Sequence, residues 1–498
     1  MKILLHTRPG YSLFLREIIS FARLREDAIE WSAISFSNAD NSLAGLARQL
    51  GDGNILYLQR HLNAYMERPE FDLDALEAFP ASVFECILSS KYTEGIHSLL
   101  EQNRDYQLKL VAGTYSIYKQ FLLEKRPDFV FFSLIEHYDA VVLFYLCIEL
   151  GIRPIVYANA RNLGVSYFSD SLHETLPGYA LTRVLDEEVL ARADELIQSF
   201  RSTSTPPFFI NYKPEADEVI QVPGLHKGIW QKALKSCSNR FRYLMGDTGS
   251  TSAVFEPHLV DKYTFSLKLK AHFLPLTKRV RKFNGELARK YYDIRDLDEL
   301  PSNFLYYPLQ FSPEASINIP APFFIDQFRA IDLLLTAMPP GYYLVVKEHP
   351  VMAGIRPSSF YKDLRQRGGI LLADIYLPSI EIVKRAKLTV SVTGTACLEA
   401  FLLGRPSLHL GKAFFTDWIF SFDSFHSFRR VIKEAISSGE VPPGKIRDLV
   451  ARVLSIGADF YLFCTDDPYH SSETVMNKRN VEKFLDALLT HIMHEAAT

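Results

Sequence analysis

Cysteine is scarce in this sequence, and the few thiols are badly placed for pairing. The five cysteines among 498 residues, Cys86, Cys147, Cys237, Cys397 and Cys464, are odd in number and widely spaced. No CxxC pair or His/Cys cluster marks a zinc site, and a reducing cytoplasm fits this usage best. Cys147 and Cys397 fall inside apolar helical runs, where a thiol reads as a small buried hydrophobe. No apolar run approaches the ~20 residues that span a bilayer. The opening MKILLHT reads as a first β-strand, because the long apolar stretch of a signal peptide is missing. No internal repeat or low-complexity tract interrupts the chain. Charge is nearly balanced, with 55 Lys and Arg against 58 Asp and Glu and a net charge of -3, which argues against bulk nucleic-acid binding.

The composition, 48% hydrophobic and 23% charged, is that of a globular protein. The length exceeds one ordinary core, so two domains are expected. Strand and helix patterns alternate at both ends. In the first third, KILLHT, WSAISFS, PDFVFFSL and IRPIVYANA read as strands, and SLFLREIISFARLR and HYDAVVLFYLCIELG as helices, the latter closed by Gly151. Residues 41–126 read as mostly helical. LDEEVLARADELIQSF (185–200) reads as an exposed helix before the polar break RSTSTPP. Residues 262–290 hold nine Lys or Arg and one Glu. That basic stretch is either a solvated helix surface or a contact for an anionic acceptor or membrane surface. From 304 the alternation resumes through FLYYPLQ, YYLVVKEHP, ILLADI, LTVSV and PSLHLG. SIEIVKRA lies between two of these as a helix, with Ser379 as its N-cap candidate. This α/β pattern predicts two doubly wound, Rossmann-like domains with parallel sheets facing a cleft, a GT-B-like layout. The expected divisions are residues 1–200, a helical connection over 201–300, a second domain over 301–475, and a final helix over 476–498 that packs back on the body.

In such sheets ligands bind beyond the carboxyl ends of the strands. In KEHP, Lys347 and His349 share one face of a strand end and Glu348 takes the other. An ammonium and an imidazole there can clamp a phosphate; the alternative is a surface lysine and a capping histidine before a proline turn. In SVTGTACLE, Gly394 permits close backbone approach, and the following helix offers free N–H groups to an anion. Ser391, Thr393 and Thr395 add hydroxyls, and Glu399 is spaced to accept from ribose. Glu399 could equally pair within the fold. PLQFSPEAS places Gln310 and Glu314 beyond a third strand, where they could bind base or sugar. In the first domain, SLIEHYDA sets Glu136, His137 and Asp139 at a strand end, as candidates to deprotonate an acceptor hydroxyl or stabilise an oxocarbenium-like centre. For Asp139 the alternative is helix capping. His6, Arg8 and Arg161 would face the same cleft and suit an acidic sugar or acceptor.

Taken in order, YYDIRDL, LYYPLQFSPEAS, FFIDQ, LVVKEHP and SVTGTACLEAFLLGRPSLHLG resemble the bacterial capsule polysaccharide biosynthesis proteins that include Kdo transferases. FFSLIEHYDAVVLFYLCIELGIRPIV resembles their N-terminal strand–helix–strand segment. The resemblance implies a GT-B glycosyltransferase that takes a CMP-activated acidic sugar such as Kdo and needs no further cofactor. It implies that Lys347 and His349 hold the CMP phosphate, with Ser391, Thr393, Gly394 and Thr395 alongside. The acceptor would be a cell-surface polysaccharide or glycolipid, with peripheral contact to the inner membrane through 262–290. No DxD run stands at a strand end, which favours a metal-independent enzyme over a GT-A type. Two rival enzymes keep the fold, a UDP-sugar 2-epimerase and a CDP-polyol phosphotransferase. The altered IEHYD and QFSPE runs also leave open a non-catalytic glycan-binding or scaffold protein.

Overall fold

Two sheets carry the chain, each built from strands rich in aliphatic, β-branched and aromatic residues. The computed structural model describes residues 1–25, 27–36, 41–51, 53–68, 74–77, 79–89, 104–203, 288–310, 315–349, 352, 354, 356–462 and 476–497. The basic stretch 262–290 therefore lies, apart from 288–290, outside the described residues, as do Glu314, Cys237 and Cys464. No described helix is long and apolar enough to cross a membrane.

The first sheet has the order β3-β2-β1-β4-β5-β6. Its strands are β1 (Lys2–Thr7), β2 (Glu30–Ser35), β3 (Ile55–Tyr57), β4 (Phe129–Phe132), β5 (Arg153–Asn159) and β6 (Ser166–Ser169). Alternation along each strand feeds two cores. Leu4, Val130 and Phe132 point to helices Leu58–Met66, Arg104–Lys125 and Tyr138–Leu150. Ile3, Leu5, Phe129 and Phe131 point to helices Pro9–Leu24, Asn41–Leu50 and Lys478–Ala497. Each such fully buried side chain contributes roughly 1.5–3 kcal/mol. The helix Tyr138–Leu150 ends as expected at Gly151, whose φ of 66° suits glycine.

The second sheet has the order β12-β11-β10-β7-β8-β9, all parallel. It comprises β7 (Phe304–Pro308), β8 (Tyr343–Lys347), β9 (Ile370–Ala373), β10 (Leu388–Ser391), β11 (Ser407–His409) and β12 (Phe420–Ser421). Together the sheets form the expected GT-B-like pair. The segment Arg161–Leu163 after β5 packs on the helix Thr395–Leu402 after β10, so carboxyl ends of the two sheets meet.

Four details differ from the sequence reading. The first sheet is not wholly parallel, because β6 runs antiparallel along β5. The short β3 interrupts the stretch read as helical. Helix Glu187–Thr203 is not simply exposed: Ala193, Ile197 and Phe200 are buried in the seam against helix Pro443–Ile456. Arg201 Nε ties the same helix to a second neighbour, donating at 2.8 Å to the carbonyl of Leu402 at the end of helix Thr395–Leu402. Ser379 is the first helical residue and Pro378 the cap, with no side-chain cap bond. The last helix packs on the first sheet, its Phe484 edge-on to Phe14 and Phe131. Cys86, Cys147 and Cys397 are buried free thiols, as read for the latter two.

Candidate functional site

In the second sheet the chain runs outward from β7 to β9, then returns to β10 on the other side of β7. That reversal opens a crevice beyond β7 and β10. Gln310 and Gly394 meet there. A Cβ on Gly394 would lie 2.8 Å from Gln310 Nε2, so the bare backbone at 394 is what admits the amide. Gly394 sits at φ -73°, so closeness and not an unusual backbone calls for glycine. The Gln310 backbone is fixed from two sides. Its N–H donates to Gln327 Oε1 at 3.2 Å, and its carbonyl accepts from Arg356 Nη2 at 2.7 Å. The buried Gln327 also accepts from the Tyr307 hydroxyl at 2.9 Å.

Gly394 caps the helix Thr395–Leu402 without a side-chain cap bond. Its first N–H groups therefore face the crevice end as an anion cradle. Ser391 is fully buried and ties the turn together: Gly394 N donates to its Oγ at 3.1 Å. Thr393 is buried beside it, and Thr395 opens the helix.

Lys347 ends β8, level with Pro308 of β7 and Ala373 of β9. It is 4% exposed, and among the described residues its ammonium makes no hydrogen bond or ion pair. Burial pushes its pKa down, against the pull of Asp374 and Glu348. Glu348, on the opposite face, is the centre of a buried network. It accepts from Arg356 Nη1, from the Tyr361 hydroxyl at 2.8 Å and from His349 N at 2.7 Å. Arg356 thereby joins the ends of β8 and β7. The sequence reading singled out neither Glu348 nor Arg356. His349 itself is exposed, its carbonyl accepting from Met352 N at 2.8 Å in the following turn.

The first sheet has its own reversal, between β1 and β4. Beyond it Arg8 Nη1 donates to Glu136 Oε2 at 2.8 Å, with side chains 12% and 16% exposed. His6 Nε2 lies 3.1 Å from Asp139 Oδ2, which also accepts from the Tyr118 hydroxyl at 3.2 Å. Asp139 stands in the first turn of its helix, but its carboxylate is turned inward; the cap is His137, without a side-chain cap bond. Burial pushes the Asp139 pKa up, yet the His6 hydrogen bond and the charges of His6, Arg8 and His137 outweigh it and hold the group below the usual carboxylate range. Burial, then Arg8, pushes His137 down to about 3, so its imidazole is neutral at pH 7. Arg8 Nη2, His137 Nε2 and Asp139 Oδ1 are buried without partners. Three polar atoms of that kind in one crevice mark a place for a polar ligand.

Arg161 and Glu399 belong to neither cluster. Arg161 adopts φ 57°, a strained conformation for a non-glycine residue, and its charge acts on Glu174 and His409 at the seam. Glu399 is bonded to Asn162 across the seam, and burial raises its pKa to about 7 against that bond. The sequence-predicted residues thus fall into two strand-end crevices and the seam between them. His6, Arg8, Glu136, His137 and Asp139 share one crevice. Gln310, Lys347, Ser391, Thr393, Gly394 and Thr395 share the other, with His349 at its outer edge. Among the described residues no three metal-ligating side chains come together.

Residues 247–438 match the family model described as capsule polysaccharide biosynthesis protein. No curated protein sequence matches the chain. Among solved structures the chain is similar to the β-Kdo 2,7-transferase of Thermosulfurimonas dismutans KpsC, at 11% identity over 75% of this chain and 88% of that one, with a TM-score of 0.33. It is similar to Neisseria meningitidis UDP-GlcNAc 2-epimerase bound to UDP-GlcNAc, at 11% identity over 98% and 100% of the chains and a TM-score of 0.23. A glycosyltransferase from Rickettsia africae ESF-5 is 9% identical over 98% of both chains, with a TM-score of 0.25. The matched segment contains every strand of the second sheet, with Gln310, Lys347 and Gly394. Over residues 247–438 the chain is thus similar to the capsule polysaccharide biosynthesis family.

Proposed function

We propose that this protein is a glycosyltransferase of surface polysaccharide synthesis that uses a nucleotide-activated sugar, the nucleotide lying in the β7/β10 crevice. One observation carries the reading: Lys347, a residue only 4% exposed, has an ammonium without a direct partner among the described residues, at the end of β8, and β7 alone separates that end from the end of β10 that leads into an uncapped helix N-terminus. A buried charge in this state is costly unless a counter-charge arrives. A phosphate is the counter-charge that suits both the ammonium and the helix amides. Gln310, held from both sides through its backbone, would orient base or sugar across Gly394.

In the reaction, Lys347 and the helix amides stabilise the nucleotide phosphate as it departs, through fixed positive groups in a water-poor site. His349 closes the outer edge, and the donor is a CMP-linked acidic sugar of the Kdo kind. In the first-sheet crevice Glu136 is the base that takes the acceptor hydroxyl proton, with Arg8 orienting it at 2.8 Å. Asp139 is too deeply buried and too acidic for that task; it holds His6 and Tyr118, which shape the crevice wall. The acceptor is a cell-surface glycan or glycolipid.

The test is a mass-spectrometric transfer and hydrolysis assay with CMP- and UDP-sugars and surface-polysaccharide fragments. The reading expects donor consumption that Lys347→Met abolishes. Conversion of a UDP-sugar to its 2-epimer without transfer, or no turnover of any donor, would overturn it.

A further inference from the structure

A cavity of about 290 Å³ opens away from both strand-end crevices, where the last helix crosses the seam. Phe168 of β6, Tyr179 of helix Gly178–Thr182, and Lys483, Asp486, Ala487 and His491 of the last helix line it, with the residues that follow helix Pro443–Ile456. Its volume is at the small end of ligand pockets.

His491 decides what the cavity suits. It is 2% exposed, its Nδ1 lies 2.9 Å from the Tyr179 hydroxyl, and its Nε2 is buried without a partner. Burial, then His494, pushes the imidazole down to about 4, so the ring is neutral at pH 7. Burial also pushes the Tyr179 phenol up, so it keeps its proton. In one tautomer Nε2 is left as a donor, in the other as an acceptor. A hydroxyl satisfies either; a carboxylate or an ammonium satisfies only one. Of the lining charges, Lys483 is paired with Asp459 and Asp486 with Arg25, while Arg183 donates to the Ser455 carbonyl at 2.9 Å. Hydroxyls can meet a guanidinium, an ammonium, a carboxylate and an imidazole alike. The Phe168 ring, stacked on Phe460 at 5.3 Å, the Tyr179 ring, stacked on His494 at 4.7 Å, and Ala487 supply apolar wall, with Ser455 and Thr490 adding hydroxyls.

We propose that this cavity is a saccharide-binding subsite that takes one neutral pyranose unit, with a sugar hydroxyl on His491 Nε2 and the ring's apolar face on Phe168 and Tyr179. Lys483 and Asp486 at the rim reach the remaining hydroxyls. The site stands apart from the nucleotide crevice and does not depend on it.

The full-length protein, with isotopically labelled histidine, is titrated with lactose, cellobiose and chitobiose while the His491 ring-nitrogen resonance and saturation transfer to the sugar are followed by NMR. At least one sugar shifts His491 and receives saturation. Ala487→Trp, whose indole fills the cavity, weakens that binding by at least about tenfold. His491→Phe, which keeps a ring of similar size and removes Nε2, gives the same loss if the tryptophan variant does not fold. Nucleotide-induced thermal stabilisation is unchanged in either variant, which separates this site from the Lys347 crevice. An unmoved His491 resonance with all three sugars, or undiminished binding in both variants, overturns the proposal.

Discussion

Lys347→Met separates a lysine kept for a ligand from one kept for packing. Methionine preserves the length and most of the volume of a side chain that is 4% exposed, so the core beneath it is not opened. What disappears is the ammonium. A charge-assisted hydrogen bond to phosphate contributes roughly 1.5–3 kcal/mol, so nucleotide affinity should fall by about 10- to 100-fold. Stability should move the other way or not at all. Burial holds the folded pKa of Lys347 below its unfolded value, so the unfolded chain binds this proton more tightly. At neutral pH the group therefore opposes folding, and wild-type stability rises as pH climbs through the folded value toward about 10.4. The variant should lack that rise. Calorimetric titration with CMP and UDP, paired with urea unfolding from neutral to alkaline pH, reads both effects. Affinity preserved within a factor of about two, or a destabilised variant, would refute the assignment of Lys347 to a phosphate.

Asp139→Asn should cost about 3 kcal/mol at neutral pH, since the carboxylate is buried with His6 and Tyr118 bonded to it. Because its folded pKa is depressed, that stabilisation is complete above the unfolded value of about 3.9 and is lost as pH falls through the folded one. Urea unfolding should therefore show the two proteins converging only below about pH 4. Glu136→Gln should reduce transfer by roughly 100-fold or more in a steady-state assay while leaving nucleotide affinity unchanged. Gly394→Ala should fold normally, because its Cβ meets only the movable end of Gln310 at 2.8 Å, but should bind nucleotide more weakly by calorimetry. Arg356→Met should lower stability by about 3–5 kcal/mol by stranding the buried Glu348, and adding Glu348→Gln should recover part of the loss in a double-mutant cycle.

Strands buried on both faces were legible in the sequence because alternation plays no part in recognising them. FVFF of β4 is wholly apolar and the LTV of β10 apolar or β-branched, and both strands lie where that composition places them. The crevice at Gly394 was legible for a local reason, a short polar turn between an apolar strand and an apolar helix. Longer-range features were not. Asp139 reads as a capping residue from its neighbours, and its actual partners lie 133 and 21 residues away. Glu348 was assigned to the correct face of β8, but its importance comes from Arg356 and Tyr361, which no strand periodicity reports. The helix Glu187–Thr203 looks solvated because the seam covers only the narrow stripe of Ala193, Ile197 and Phe200. The edge strand β6 follows β5 with only the short turn Arg161–Leu163 between them, and so escapes the β-α-β pattern altogether.

A crystal structure of the protein soaked with CMP, and in parallel with UDP, tests the central claim most directly. The account predicts the nucleotide in the β7/β10 crevice, with a phosphate oxygen within hydrogen-bonding distance of Lys347 Nζ or of the first N–H groups of the Thr395–Leu402 helix. A nucleotide bound in the β1/β4 crevice beside Arg8 and His137, or density in neither place at saturating ligand, would contradict it.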